Sequence, residues 1–294
     1  MSTEHFPEPD ARRVVALALD EDLGPQSLDV TSTATIPADQ VGIGQVVARA
    51  PGVLAGGPVI ALALDEVAAR TGGVPPSLDV RIADGTALER GDVVAELRGP
   101  LRQVLMAERT VLNILSRLSG VATHTRRWSD ALAGTGCTVL DTRKTTPGLR
   151  ALEKYAVRCG GGTNKRMGLF DVAMVKDNHK IAAGGVGAAY AAIRERFPDV
   201  TVEVEVTTTA EAIEALEAGS RFLMCDNMSV DLLRETVDAA RAWGAERGES
   251  VEIEATGGLT LEVAADYGAT GIDWMSVGGL THSSPIVDLA LDLV

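Results

Sequence analysis

The chain has 294 residues, 46% of them hydrophobic and 23% charged, which is the composition of an ordinary globular protein and excludes a disordered or collagen-like one. Its 27 Lys and Arg stand against 41 Asp and Glu, a net charge of −14, so the broad positive field that nucleic acid or an anionic membrane calls for is missing. Any anionic ligand must be gripped locally.

Cys137, Cys159 and Cys225 are odd in number, widely spaced and outside any Cys-x-x-Cys, which argues against a disulfide framework or a zinc cluster and fits a reducing cytoplasm. The first seven residues have no basic start and no apolar run, so no secretory signal is expected. The longest apolar run, Val53 to Leu64, contains Gly56, Gly57 and Pro58 and falls short of the ~20 residues of a membrane span.

In chain order, Asp10 to Asp22 places Ala11, Val14, Val15 and Ala18 at helical spacing and stops at Gly24. Short β-prone runs follow at 44–50, 52–55, 78–83 and 93–97, separated by Gly and Asp-Gly turn signals, with one helix from Pro58 to Arg70 among them. A long helix is predicted from Leu101 to Leu118, with Pro100 at its start, and a second from Val121 to Ala133. This half reads as an α+β open sandwich over residues 1–117.

After Gly136 the rhythm changes. Strands are predicted at 138–140, 172–175, 200–206, 222–225, 251–255 and 272–277, and helices at 149–157, 187–197, 209–218, 230–247 and 261–267, with Thr208 and Glu211 forming a capping box. Strands spaced by whole helices imply a parallel sheet. With no dinucleotide fingerprint present, the expectation is α/β: a TIM-like (β/α) barrel of six or seven parallel strands over residues 118–283. A tail of about residues 284–294 could pack back on the first domain.

Barrel chemistry sits just beyond the C-terminal ends of the strands. There the sequence places Asp141 to Lys144, Lys176 to His179, Glu203 with Glu205, Asp226-Asn227, Glu254 with Thr256, Gly257 and Gly258, and Ser276 with Gly278 and Gly279. Residues 141–180 carry nine Lys or Arg against four acids, a positive focus inside an acidic chain. The helix bearing Arg150, Lys154 and Arg158 could be only a solvated basic face. Glu205 and Asp226 end neighbouring strands and could share a hard cation such as Mg²⁺ at a phosphate; Glu203 could replace Glu205, and a salt bridge to Lys144 or Lys176 is the structural alternative. The two Gly pairs, 257/258 and 278/279, would let backbone N–H groups approach a phosphate. His5 and His124 read as structural, while His179 and His282 flank strand-end loops.

Taken together, Glu108-Arg109-Thr110, Leu118-Ser119-Gly120, Asp141-Thr-Arg-Lys-Thr-Thr-Pro-Gly148, Glu153-Lys-Tyr-Ala156, Gly160-Gly-Gly162, Lys176-Asp-Asn-His179, Glu203-Val-Glu205, Cys225-Asp-Asn-Met228 and Val277-Gly-Gly-Leu-Thr-His-Ser283 strongly resemble the quinolinate phosphoribosyltransferase family. The likeness continues upstream through Glu21 to Gly24, Asp29 to Ser32 and Gly52 to Gly56. It implies a Mg²⁺-dependent reaction of quinolinate with phosphoribosyl pyrophosphate that gives nicotinate mononucleotide, pyrophosphate and CO2 in NAD biosynthesis.

By the same resemblance, Arg143, Lys165, Arg166 and Lys176 would hold the quinolinate carboxylates, joined by Arg109 of a partner subunit. Lys144, Glu205 and Asp226 would be catalytic at the sugar and the metal-pyrophosphate. Thr256, Gly257, Gly258, Gly278 and Gly279 would take the 5-phosphate. A cytoplasmic homodimer with shared sites is implied, open to higher assembly, without nucleic acid or membrane as partner. Where the family usually has Asn-His-Arg this chain has Asn164-Lys165-Arg166, a flexible ammonium in place of a ring, and Thr256 stands where Ser is common. The alternatives are a paralogous phosphoribosyltransferase acting on another heterocyclic acid, or a Schiff-base aldolase using Lys144 or Lys176.

Overall fold

The computed structural model describes residues 5–294. Two compact units divide the chain. One holds the residues up to Arg126 together with Thr145–Gly161 and Leu280–Val294; the other holds Arg127–Lys144 and Gly162–Gly279.

The elements run α1 (Glu8–Leu23), α2 (Val30–Thr35), β1 (Val41–Ala48), β2 (Gly52–Val53), α3 (Val59–Thr71), β3 (Ser77–Val80), β4 (Ala87–Leu88), β5 (Val93–Pro100), α4 (Leu101–Ala131), β6 (Thr138–Leu140) and α5 (Arg150–Cys159). They continue with β7 (Val172–Val175), α6 (Asp177–Ala183), α7 (Val186–Arg196), β8 (Thr201–Val206), α8 (Thr209–Glu217), β9 (Phe222–Asp226), α9 (Val230–Arg247), β10 (Glu252–Thr256), α10 (Ala264–Gly268), β11 (Trp274–Ser276), α11 (Gly279–His282) and β12 (Leu289–Leu293).

In the first unit an antiparallel sheet has the order β12-β1-β5-β3. The tail therefore supplies an edge strand beside β1, Gly44 facing Leu293 and Ala48 facing Leu289. Helix α1 buries Ala11, Val15, Leu19 and Leu23, one side chain per turn, and packs on α3. Helix α3 is buried nearly all round, through Val59, Ile60, Leu62, Ala63, Leu64, Val67 and Ala68. Asp29 caps α2 by accepting the Thr31 and Ser32 N–H groups at 3.0 Å each.

The two helices expected at 101–118 and 121–133 are one helix of 31 residues, α4. Ser119-Gly120, read as an interruption, serves packing instead. Ser119 Oγ accepts the Ala55 N–H at 3.1 Å, and a Cβ on Gly120 would lie 2.1 Å from the Pro285 carbonyl oxygen. The glycine is required by close approach, and it does not end the helix. The helix expected at 261–267 is instead divided, a 3-10 turn at Leu261–Val263 leading into α10.

The second unit is a TIM-like barrel. Its six strands lie in the order β6-β11-β10-β9-β8-β7, every neighbouring pair parallel. The first strand in sequence thus pairs with the last, Thr138 opposite Trp274 and Leu140 opposite Ser276, which is how a sheet curls back on itself. Thr163 adds a parallel bridge to Leu140 on the free side of β6, at the place of a seventh strand. Between β7 and β8 the chain makes α6, absent from the sequence reading, before the expected α7.

Candidate active site

In a parallel ladder, residues in register share a face, and this places the polar side chains. Glu203 and Glu205 of β8 lie opposite Phe222 and Met224 of β9, Met224 lies opposite Glu254 of β10, and Asp226 lies opposite Thr256. The alternate face of the same strands carries Val202, Val204, Val206, Leu223, Cys225, Ile253 and Ala255, all buried. One side of the sheet is apolar under the helices. The other holds carboxylates.

Lys176 lies between β7 and α6 as the N-cap of that helix, its backbone N–H donating to His179 Nδ1 at 3.0 Å, so His179 shapes the turn that aims the lysine. The Lys176 ammonium forms an ion pair with the Glu205 carboxylate; the lysine side chain is 46% exposed and the glutamate 10%. The salt bridge to Lys176, one of the alternatives the sequence leaves open for Glu205, is present. Lys180 donates to the Glu205 carbonyl at 3.1 Å and bridges Asp177 and Glu211, fixing the base of this pair.

Arg143 and Lys144 lie exposed on the loop after β6, the Lys144 N–H donating to Thr142 Oγ1 at 3.1 Å. Arg166 is half-buried and donates to the Val172 carbonyl at 3.0 Å. Its guanidinium pKa is pushed down, first by burial and then by the positive charge of Arg143, against the pull of Glu203 and Asp171. The two guanidinium charges therefore oppose each other. Asp171 supports the loop between Arg166 and β7, accepting the Met167 and Gly168 N–H groups at 2.6 and 3.1 Å.

Lys165 differs from expectation. It is no flexible ammonium: its side chain is 7% exposed and reaches into the carboxylate face, paired with Glu254 and 3.2 Å from Glu203 Oε2, with Met224 Sδ at 3.1 Å. Asp141, fully buried at the end of β6, holds the segment by accepting the Lys165 N–H at 2.9 Å and the Asn164 amide at 2.6 Å. A charge this enclosed is already answered by protein. Glu203, the alternative to Glu205, is turned to Lys165, and burial raises its carboxyl pKa.

At the end of β9, Asp226 accepts the Asn227 amide at 2.8 Å, and Asn227 takes a left-handed φ of 52°. Gly257 has φ +89°, and a Cβ there would sit 2.5 Å from Asn227 Oδ1, so this turn admits only glycine. Beside it opens a cavity of about 260 Å³ lined by Asn227, Met228, Thr256, Gly257, Gly258 and Tyr267 among others. Gly278 and Gly279 follow the adjacent strand β11, and Gly279 begins α11.

Other residues of the motifs serve the scaffold. Glu153, fully buried, accepts two hydrogen bonds from Arg117 at 2.8 and 3.0 Å and two from Thr146, through its N–H at 2.9 Å and its hydroxyl at 2.8 Å. Lys154 is 1% exposed, which overturns the solvated basic face read for α5. Tyr155 donates its hydroxyl to Asp84, which also accepts the Gly56 and Gly57 N–H groups. His124 contacts Ser284 Oγ at 2.9 Å. Arg109 lies on α4 in the first unit, its side chain 63% exposed. Sequence reasoning missed the partnership of Glu254 with Lys165; the available signal was the period of two that sets Glu254 on the same face as Thr256.

Residues 29–119 match the family model described as the N-terminal domain of quinolinate phosphoribosyl transferase, and residues 121–292 match its C-terminal domain. The chain belongs to the quinolinate phosphoribosyltransferase family. It is 44% identical over 283 residues, 96% of this chain and 97% of the relative, to the nicotinate-nucleotide pyrophosphorylase (carboxylating) of Mycobacterium leprae. It is 40% identical over 93% of its length and 90% of the relative's to the probable enzyme of that name in Bacillus subtilis. Among solved structures of the family, NadC from Streptococcus pyogenes superposes with a TM-score of 0.90 at 35% identity, covering 99% of this chain and 98% of that one.

Proposed function

We infer that the chain transfers the phosphoribosyl group of phosphoribosyl pyrophosphate to quinolinate with loss of CO2, giving nicotinate mononucleotide and pyrophosphate. Family membership over nearly the whole chain supports the reaction. The observation that carries the substrate side is the placement of Arg143 on the exposed loop after β6 and of half-buried Arg166 ahead of β7, with the charge of one acting against the charge of the other. Two like charges near one end of the barrel favour an anion there, and a guanidinium can bind a carboxylate with two parallel hydrogen bonds. Lys176, half-exposed after the end of β7, adds a third cation to the strand-end set.

Lys144 is assigned to the sugar and the pyrophosphate, and Thr256, Gly257, Gly258, Gly278 and Gly279 to the 5-phosphate; the first three line a cavity of about 260 Å³ in which glycine backbone leaves room for a tetrahedral anion. As pyrophosphate departs, positive charge grows on the ribose, and the pyridine nitrogen captures that carbon. The protein's part is to hold the two reactants in line and to keep cations at the departing group. The pyridinium formed then stabilises the electron pair left on the ring carbon as its bond to the adjacent carboxylate breaks and CO2 leaves, and that carbon takes up a proton from solvent.

Among the described residues no cluster of three or more His, Cys, Asp or Glu could cage a metal. Asp226 with Glu205 offers only two carboxylates, a donor set that fits Mg²⁺ when the pyrophosphate supplies other oxygens. Mg²⁺ held there would neutralise charge on the leaving group. We assign Arg109 to the site of a partner subunit in a homodimer, on its exposure and the family resemblance, and place the enzyme in the cytoplasm on its three free cysteines. No observation favours a Schiff-base lysine.

The test is incubation with phosphoribosyl pyrophosphate, Mg²⁺ and either quinolinate or nicotinate, following nicotinate mononucleotide. Product from quinolinate alone is expected; product from nicotinate alone would overturn the reading.

A further inference from the structure

The residue at position 165 would touch the substrate in the family pattern, yet here its charge is spent inside the barrel. The Lys165 ammonium pairs with Glu254, 0% exposed, and lies 3.2 Å from Glu203 Oε2 on a side chain 7% exposed. Glu203 Oε2 and Glu254 Oε1 receive no hydrogen bond from any described residue. Two buried carboxylates thus lean on one lysine, and a buried charge that loses its partner is costly.

The next cation along is Arg166. It feels Glu203 as an attractive charge and Arg143 as a repulsive one. Charges therefore alternate from Glu254 through Lys165 and Glu203 to Arg166, and end on Arg143. Without Lys165, the Glu203 carboxylate would have Arg166 as its nearest remaining cation and would draw that guanidinium inward. A guanidinium satisfied by Glu203 is no longer offered to a ligand.

We propose that Lys165 is a positioning residue: by occupying Glu203 and Glu254 it keeps Arg166 available to bind a substrate carboxylate. The inference rests on the reading that Arg143 and Arg166 receive quinolinate, and it gives Lys165 a role other than direct contact. Glu203 of β8 and Glu254 of β10 share one face of the sheet with Met224 of β9, so the device is built from the barrel's own register.

The experiment measures KM for each substrate and kcat in Lys165→Met, Lys165→Met/Glu203→Gln and Glu203→Gln proteins, with thermal unfolding to confirm that each is folded. Lys165→Met should raise the KM for quinolinate about tenfold or more while KM for phosphoribosyl pyrophosphate and kcat stay within about threefold, the pattern of a lost ground-state contact. Adding Glu203→Gln should recover most of that loss, because the competing carboxylate is gone. Glu203→Gln alone should leave the quinolinate KM unraised.

A double variant no better than Lys165→Met would overturn the proposal and return Lys165 to direct substrate contact. An elevated quinolinate KM in Glu203→Gln alone would overturn it too, and this variant keeps the question open to measurement if Lys165→Met does not fold. Failure of the wild-type protein to use quinolinate would instead sink the functional reading, so the two are separable.

Discussion

Lys144 and Lys176 sit at the ends of different barrel strands. Lys176 is paired with Glu205, and Lys144 lies on the exposed loop after β6, next to Arg143 in sequence. A cation placed at a departing pyrophosphate acts mainly on the transition state, so Lys144→Ala should slow turnover by roughly two to four orders of magnitude. Quinolinate binding, followed by direct titration, should change far less; equal loss of quinolinate binding would move Lys144 to the carboxylate subsite. Asp226 is half-buried and its carboxylate accepts the neutral Asn227 amide, whereas Glu205 is ion-paired with Lys176, so Asp226 is the less neutralised of the two proposed metal ligands. Excess chelator should therefore abolish activity and Mg²⁺ restore it, and Asp226→Asn should raise the Mg²⁺ concentration needed for half-maximal rate. Full activity in chelator would remove the metal from the reaction.

At the scale of elements, α4 shows how packing can reverse the sign of a propensity. Exchange of a mid-helix glycine for alanine ordinarily stabilises by about 0.5–1 kcal/mol. At Gly120 the new methyl would lie 2.1 Å from the Pro285 carbonyl oxygen, so Gly120→Ala should instead destabilise by about 1–3 kcal/mol. Chemical denaturation reads this directly, and a more stable Gly120→Ala protein would refute the close approach. The same contact explains why the sequence misleads here: Ser-Gly inside an apolar pattern looks like a stop until the segment packed against it is known. The barrel strands, by contrast, are legible because each is a short apolar run ending in polar residues, and β6 and β7 fall on the predicted residues. Strand-end placement of Lys176, Glu205, Asp226 and Thr256 follows from that alone. The pairing of Lys165 with Glu203 and Glu254 does not, because it depends on which strands are neighbours and in what register. The tail is legible only as a segment that could pack back on the first domain, not as strand β12, since its partner β1 lies more than two hundred residues earlier in sequence.

For the whole molecule the open question is assembly. Arg109 lies on α4 with its side chain 63% exposed, and its nearest acid, Glu108, is 4.0 Å away, a weak claim on its charge. A guanidinium left this exposed is available to something outside its own unit, and the reading adopted above assigns it to the site of a second copy of the chain. A twofold dimer would then hold two sites, each built from Arg109 of one subunit and Lys176 of the other. Arg109→Ala and Lys176→Ala homodimers should each be nearly inactive. When the two variant proteins are mixed under conditions that exchange subunits, a heterodimer carries one site with both changes and one with neither. Random exchange makes half of the dimers mixed, so about a quarter of wild-type activity should return. Mass tagging measures the exchange independently of turnover. Exchange without recovery would place Arg109 in its own chain's site or outside the site, and it would leave the dimer, if present, without a catalytic reason.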